Sequence, residues 1–474
     1  MILQLPKANR IQRLCCLLFF GALGVNLLFA QSNSESHSPT TSSCRVQPAD
    51  YKGWHSQQVS NRWVRLTVVP QNGGRLMQVV FGGHPFLFVN PKYEGKYLPP
   101  SQGEWFNYGG DKIWLLPEGN EDEQHWAGGS DVIDDSPFTF RKVSEGQQCE
   151  LELTGPADPR TGVQIVRTIR LDSDSPRIRF RATMKNITGH DLEWSMQSVS
   201  QYDTGDPNPA PPGARPKFNR DFRTFTPANP ASSYLNRYHV RFGPAENRAA
   251  SVREDGLFTL HYVHMGAELW LDSTAGWLAV ADGASRYGMV ERFPFEESRK
   301  YPGKASIIFW TNGPAVKLDS DGMSSMPSDD DASPYYLEAE VNSPLCRLRP
   351  GESCDLDTEW FPTRVGADFH GVTDAGLVAS PLLATRLASG KIKLSGSFGV
   401  FFAGRLVAHF YGEHGASLGS APLADVDPVN LVSLETEVAP PGNPGRVSLH
   451  LEDGSGLDRG ALQEVRVGSE ETTK

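Results

Sequence analysis

Beyond residue 53 the chain runs in short stretches of alternating apolar and polar residues, each closed by Gly, Pro, Asn or Asp. A period of two belongs to a strand with one face buried, and the sustained 3.6-residue period of amphipathic helices is missing. Strands are predicted at 63–69, 75–81, 86–89, 150–153, 164–171, 177–184, 192–199, 258–263, 268–271, 277–281, 305–310 and 335–341. Between the first two, Asn72 and Gly73 tolerate positive φ, so 63–69 and 75–81 are expected to form a hairpin. So many short strands at this spacing specify an all-β sandwich or barrel rather than a parallel α/β sheet.

Two stretches break the rhythm. Residues 203–233 are rich in Pro, Asn and Arg, and residues 318–334 in Asp, Ser and Met. Both read as long loops, either covering a binding site or making surface excursions. Around 362–374 the pattern pauses and a second set of strands follows at 391–394, 398–402, 406–411, 431–438, 446–451 and 462–467. That is the size of a small immunoglobulin-like β-sandwich. It holds no cluster of catalytic side chains and reads as a spacer or interaction module.

The first thirty residues follow another logic. Lys7, Arg10 and Arg13 stand without acidic neighbours, an apolar run occupies 14–30, and polar residues come next. This is the layout of a secretory signal peptide cut near Ala30, with an uncleaved anchor as the alternative. Cys15 and Cys16 open the apolar run instead of closing it, which argues against lipoprotein processing. The expected organisation is a signal peptide at 1–30, a disordered Ser/Thr-rich tether at 31–53, the main β domain at 54–364 and the C-terminal sandwich at 365–474. The protein is expected to be secreted or periplasmic, with no membrane association once cut.

Losing Lys7, Arg10 and Arg13 with the leader takes the net charge from −11 to −14. A surface of that sign repels phosphate backbones, so nucleic acid is not an expected partner, and neutral sugars suit it better. Cys44, Cys149, Cys346 and Cys354 remain. An even count in an exported chain suggests disulfides, for which three pairings exist; Cys346–Cys354 with Cys44–Cys149 is favoured because 347–353 reads as a turn. No Cys-x-x-Cys or His-x-x-x-His spacing is present, so no metal and no cofactor are expected.

Chemistry concentrates at 104–126. Trp105, Phe106, Tyr108, Trp114 and Trp126 are five aromatics where the chain's 10% average would give two or three. Aromatic faces suit the C–H side of a sugar ring, and Asn107, Asp111, Lys112 and Glu118 could hydrogen-bond its hydroxyls. An aromatic core cluster with an Asp–Lys pair at a turn is the plainer alternative.

The run Asn107-Tyr108-Gly109-Gly110-Asp111-Lys112-Ile113-Trp114 with Pro117-Glu118-Gly119 resembles the signature of an uncharacterised domain family related to the galactose mutarotases, or aldose 1-epimerases. So do Asn72-Gly73-Gly74-Arg75-Leu76 with Gly82-Gly83-His84, and the stretch from Tyr336 to Ser353. The likeness covers about residues 60–364. It implies a galactose-mutarotase-like antiparallel β-supersandwich with a concave sugar-facing surface that binds a mono- or oligosaccharide. Mutarotases use general acid–base catalysis across one ring. Glu338 lies where they place the catalytic base, with Tyr336 and Glu340 on the same strand face. Their acid is usually a histidine, yet 194–202 contains none. Lys112 and His125 are the candidate acids, with His239, His261 and His264 elsewhere. Arg75, Asn107, Tyr108, Asp111, Trp114 and Glu118 are the candidate substrate-binding residues. Two other readings stay open: a non-catalytic cell-surface or periplasmic module, and a lyase acting on uronic polysaccharides.

Overall fold

The computed structural model describes residues 43–100, 106–117, 131–208, 217–314, 317–318, 324–325 and 333–469; the leader and most of the tether lie outside them. Antiparallel sheets dominate, as the period-two pattern requires. The first sheet contains β1 (Arg45–Tyr51), β2 (Trp54–Ser60), β3 (Val64–Val69), β4 (Arg75–Phe81), β5 (Asp111–Leu116), β6 (Leu192–Asp203), β7 (His239–Phe242), β8 (Ala267–Leu271), β9 (Ile307–Thr311) and β10 (Tyr336–Asn342). Its spatial order is β1-β2-β3-β4-β5-β6-β10-β9-β8-β7, with His84–Pro85 and Cys346–Leu348 attached to the side.

A ten-stranded sheet packs against it. Its order runs from Ala250–Val252 through Leu257–His261, Phe222–Pro227, Trp277–Asp282, Tyr287–Arg292, Ser353–Arg364, Ile178–Asn186, Val163–Asp172 and Gln148–Asp158 to Thr139–Ser144. Alternate residues of each strand fill the space between the sheets. Leu337, Ala339 and Val341 of β10 meet Ile165, Ile169, Phe180, Met184 and Trp360 in one continuous core. The other side of β10, carrying Tyr336, Glu338 and Glu340, therefore faces away from that core.

The predicted hairpin is present: β3 pairs antiparallel with β4, and positive φ falls on Gly73 and Gly74. Gly73 is required for a second reason. A Cβ there would lie 2.0 Å from the carbonyl oxygen of Asp134, in the one-turn helix α1 (Asp131–Asp135) that packs on this turn.

Four expectations need correction. The tether does not extend to residue 53 as a disordered segment, because Arg45–Tyr51 forms β1, paired with β2, and Cys44 is held by a disulfide. Residues 86–89 form no strand and touch their neighbours through single bridges at Leu87 and Val89. The reason is Gln78, whose side chain accepts from Phe86 N and Leu87 N and donates to Leu87 O, standing in for a ladder. The stretch 203–233 is not one loop, because Phe222–Pro227 crosses the second sheet. The C-terminal part has eight strands rather than six. Ile392–Val400 merges two predicted strands, while Gly376–Arg386 and the edge strand Ser417–Val426 were hidden by their Gly, Pro and small residues. Of 318–334, Lys317–Leu318 and Ser324–Ser325 pair with each other, and much of the remainder lies outside the described residues.

The eight-stranded C-terminal sheet does not stand apart. Its Phe398, Phe401, Leu377 and Val378 share a core with Phe225, Leu257, Ala279, Ala281 and Phe361 on the outer side of the ten-stranded sheet. Two disulfides are present. Cys44–Cys149 joins the start of β1 to the second sheet, and Cys346–Cys354 spans the turn between Cys346–Leu348, attached to the first sheet, and Ser353–Arg364 of the second. No helix among the described residues is long and apolar enough to cross a membrane.

Candidate functional site

On the side of the first sheet turned away from the core, strand register places side chains in transverse rows. Gln201 of β6 pairs with Glu338 of β10, Glu338 with Trp310 of β9, Trp310 with Glu268 of β8, and Glu268 with Phe242 of β7. A second row runs from Lys112 of β5 through Val199, Glu340, Ile308 and Trp270 to His239. Registered partners in antiparallel strands share a face, so both rows look out from the sheet.

Glu338 is the chemical centre of the first row. It is only 6% exposed. Its Oε1 accepts from Gln201 Nε2 at 2.6 Å and lies 3.5 Å from Lys112 Nζ. Among the described residues nothing hydrogen-bonds Oε2, which leaves that oxygen to a ligand or water. Burial pulls the Lys112 pKa below the ordinary lysine range, and the Glu338 charge opposes that shift. Glu340, two residues along, accepts from Gln197 Nε2. Gln197 Oε1, Gln201 Oε1 and Asn342 Oδ1 are buried acceptors without a hydrogen-bond partner among the described residues.

A rigid network supports Lys112. Its ammonium sits 4.4 Å from the centroid of the Trp114 ring. Trp114 Nε1 donates to Asp134 Oδ1 at 3.1 Å, and Arg75 Nη2 lies 2.7 Å from the same oxygen, with both charged groups fully buried. Arg75 also donates to Gly109 O at 3.1 Å and lies 5.6 Å from the Tyr108 ring. Gly109 makes this close approach possible: its φ is 93°, and a Cβ would meet Phe88 O at 2.2 Å. Asn107 and Trp310 flank the buried hydroxyl of Tyr336, whose ring stacks on Phe88; burial and then Glu338 raise its pKa well above the usual tyrosine value.

The structure therefore gathers Glu338, Lys112, Trp114, Arg75, Tyr108 and Asn107 into one connected region. It does not bring Asp111 there. Neighbours in a strand face opposite ways, so Asp111 enters the space between the sheets. There it forms an ion pair with Arg167 and accepts from Ser198 Oγ and Ser200 Oγ. Glu118 and His125 lie outside the described residues. His261 is exposed on the second sheet, His264 contacts Ser333 O at 3.1 Å, and His239 stands edge-on to Trp270 at the end of the second row. No group of three potential metal ligands occurs among the described residues.

Gln197, Gln201, Asp134, Glu268 and Trp310 were not singled out from the sequence. Gln197 and Gln201 carried a usable signal, since even spacing puts both on one face of the strand that lacks a histidine. Trp310 and Glu268 carried none, because only the strand order sets them beside Glu338. Glu268 has its carboxyl pushed upward by burial, with Trp270 and Arg241 acting the other way. A cavity of about 570 Å³ lies elsewhere, on the outer side of the ten-stranded sheet. Its Arg170, Arg179 and Arg181 are each matched by carboxylates, so it presents no unanswered charge.

No protein-family model matches the chain, and no curated protein matches it. Solved structures similar to it include a TPR-domain containing protein from Parabacteroides distasonis, at 14% identity over 70% of this chain and 54% of that one, with a TM-score of 0.43. The chain thus spans about half the length of that protein. Two galactose mutarotase-like proteins are also similar. The one from Clostridium acetobutylicum is 10% identical over 68% of this chain and 99% of its own, with a TM-score of 0.39. The one from Lactobacillus casei is 11% identical over 65% and 99%, with a TM-score of 0.40.

Proposed function

We propose that the protein binds neutral carbohydrate on the side of the first sheet turned away from the core, around Glu338. The observation that carries this reading is the pairing of Glu338 with Trp310 on adjacent strands. Glu338 offers a held carboxylate with one free oxygen, and Trp310 a half-buried ring. Sugars need both at once, an apolar platform for C–H groups and fixed acceptors for hydroxyls. Export to the periplasm or cell exterior, through the leader ending near Ala30, belongs to the proposal, as does a C-terminal sandwich acting as a support module.

A catalytic form of the reading makes Glu338 the base that removes the anomeric hydroxyl proton of an aldose. An acid must then protonate the ring oxygen from the other side. Lys112 touches Glu338 and so stands on the same side of any bound ring, which disfavours it as that acid. This contact, with the lack of histidine on β6, favours binding without turnover. Glu268, two strands from Glu338 and about 10 Å away by strand spacing, is the described group whose raised proton affinity suits a donor. A uronic polymer meets two carboxylates on this row, so the lyase reading is the weakest.

The test is thermal unfolding with glucose, galactose, mannose and xylose, each in large excess. Saturation at a hundred times Kd adds about 2.7 kcal/mol of stability. A shift that disappears in Trp310→Ala and Glu338→Gln supports the site. Absence of any shift with every neutral sugar removes the proposal. For a sugar that binds, polarimetry of its freshly dissolved α-anomer separates the catalytic form from the binding form: accelerated mutarotation lost in Glu338→Gln establishes turnover.

A further inference from the structure

Past Trp310, the row carrying Glu338 continues to the edge of the sheet, and its last members are not needed to hold a single sugar. Phe242 is 42% exposed, an unusual state for a large apolar side chain, and stacks on Trp310 with ring centroids 5.5 Å apart. Beside them Trp270, half-buried, is fixed by donation from its Nε1 to Glu268 and by packing on Gly303, while the Arg241 guanidinium lies 6.0 Å from its ring. From Gln201 to Phe242 the row crosses four strand gaps, about 19 Å at the usual strand spacing, far more than one pyranose ring spans.

We infer that this aromatic strip is a set of outer subsites for an oligosaccharide chain lying across the strands, with one residue of the chain held between Glu338 and Trp310 and the following ones over Phe242 and Trp270. The inference rests on the carbohydrate reading above and adds chain length to it. Aromatic rings alternating with acceptors match the alternation of C–H faces and hydroxyl edges along a glycan. Glu338 and Glu268 on one row, in a chain of net charge −11, select a neutral glycan over a uronic or sulfated one. The short strand β7, with its register shift between Val240 and Phe242, ends the sheet on this side, so a chain can run off the edge.

The experiment is calorimetric titration of the full protein with glucose and xylose, and with neutral β-1,4- and α-1,4-linked tetraoses of glucose and β-1,4-linked tetraoses of xylose. At least one tetraose is expected to bind about tenfold or more tighter than its monosaccharide, and Phe242→Ala, a change at an exposed position, to remove about tenfold of tetraose affinity while leaving the monosaccharide value unchanged. Trp270→Ala is expected to act in the same direction. Equal affinity for tetraose and monosaccharide overturns the outer subsites but leaves the Glu338 site standing. Loss of monosaccharide and tetraose affinity in equal measure in Phe242→Ala also overturns them. Failure of every sugar to bind overturns the carbohydrate reading itself.

Discussion

Several carboxylates of the main body are buried, and Asp111, Glu338 and Glu291 among them are accommodated in three different ways. Asp111 has a cation, Arg167, reaching across from the opposite sheet. Glu338 has a cation and an amide, Lys112 and Gln201. Glu291 accepts from the Tyr202 hydroxyl and has no ion-pair partner among the described residues, so burial lifts its pKa from 4.5 to about 8. Between these two values the native state keeps a proton that the unfolded chain has released. Its contribution is therefore complete below about pH 4.5 and is lost as pH rises through about 8. Urea unfolding of Glu291→Gln at pH 5.5 and 8.5 should show a smaller fall in stability between the two pH values than the unaltered protein, by a few kcal/mol. Equal falls would mean that Glu291 is ionised in the folded state. At this scale sequence reading reached Glu338 and Lys112 through motif resemblance. It misplaced Asp111, because the period of two that separates it from Lys112 was applied to β10 and not to β5.

At the scale of elements, eleven of the twelve predicted main-body strands are present, but others, Trp54–Ser60, Asp111–Leu116, Tyr287–Arg292 and Ser353–Arg364 among them, were not legible. A half-buried strand writes its period into the chain, and Asn72-Gly73-Gly74 marks its own turn. Strand order was not legible, since nothing in 305–310 says that it lies between β10 and β8. The site depends on that order. The Cys44–Cys149 bridge belongs to this scale too. It ties elements of different sheets across 105 residues of chain, whereas Cys346–Cys354 spans 8. Loop-closure entropy then predicts losses of about 4–5 kcal/mol for the double change Cys44→Ser with Cys149→Ser, and about 2–3 kcal/mol for Cys346→Ser with Cys354→Ser. Chemical denaturation of the two variants checks the order. The reverse ranking would show that the long bridge restricts the unfolded chain little.

For the molecule as a whole, the pause at 362–374 suggested a separate module, but the packing is shared. Phe225, Leu257, Ala279, Ala281, Val290 and Phe361 of the ten-stranded sheet are buried by C-terminal residues. Chain composition could not show this, because a strand apolar on both sides reads like any deeply buried strand. A chain ending at residue 364 should therefore expose that face and self-associate, with light scattering rising at concentrations where the full protein stays monodisperse. A soluble, monodisperse 1–364 fragment of unchanged Tm would show the shared core to be dispensable. The strand Asp458–Ser469 sits inside the C-terminal order, antiparallel to Arg446–Asp453 on one flank and parallel to Gly376–Arg386 on the other. Without it, the three strands on one side and the four on the other have no hydrogen-bonded link. Synthesis supplies this strand after all the others it joins. Until it arrives, the nascent molecule carries two open sheet edges, the kind of surface that recruits another chain, and clipping just before Asp458 would make that transient hazard permanent.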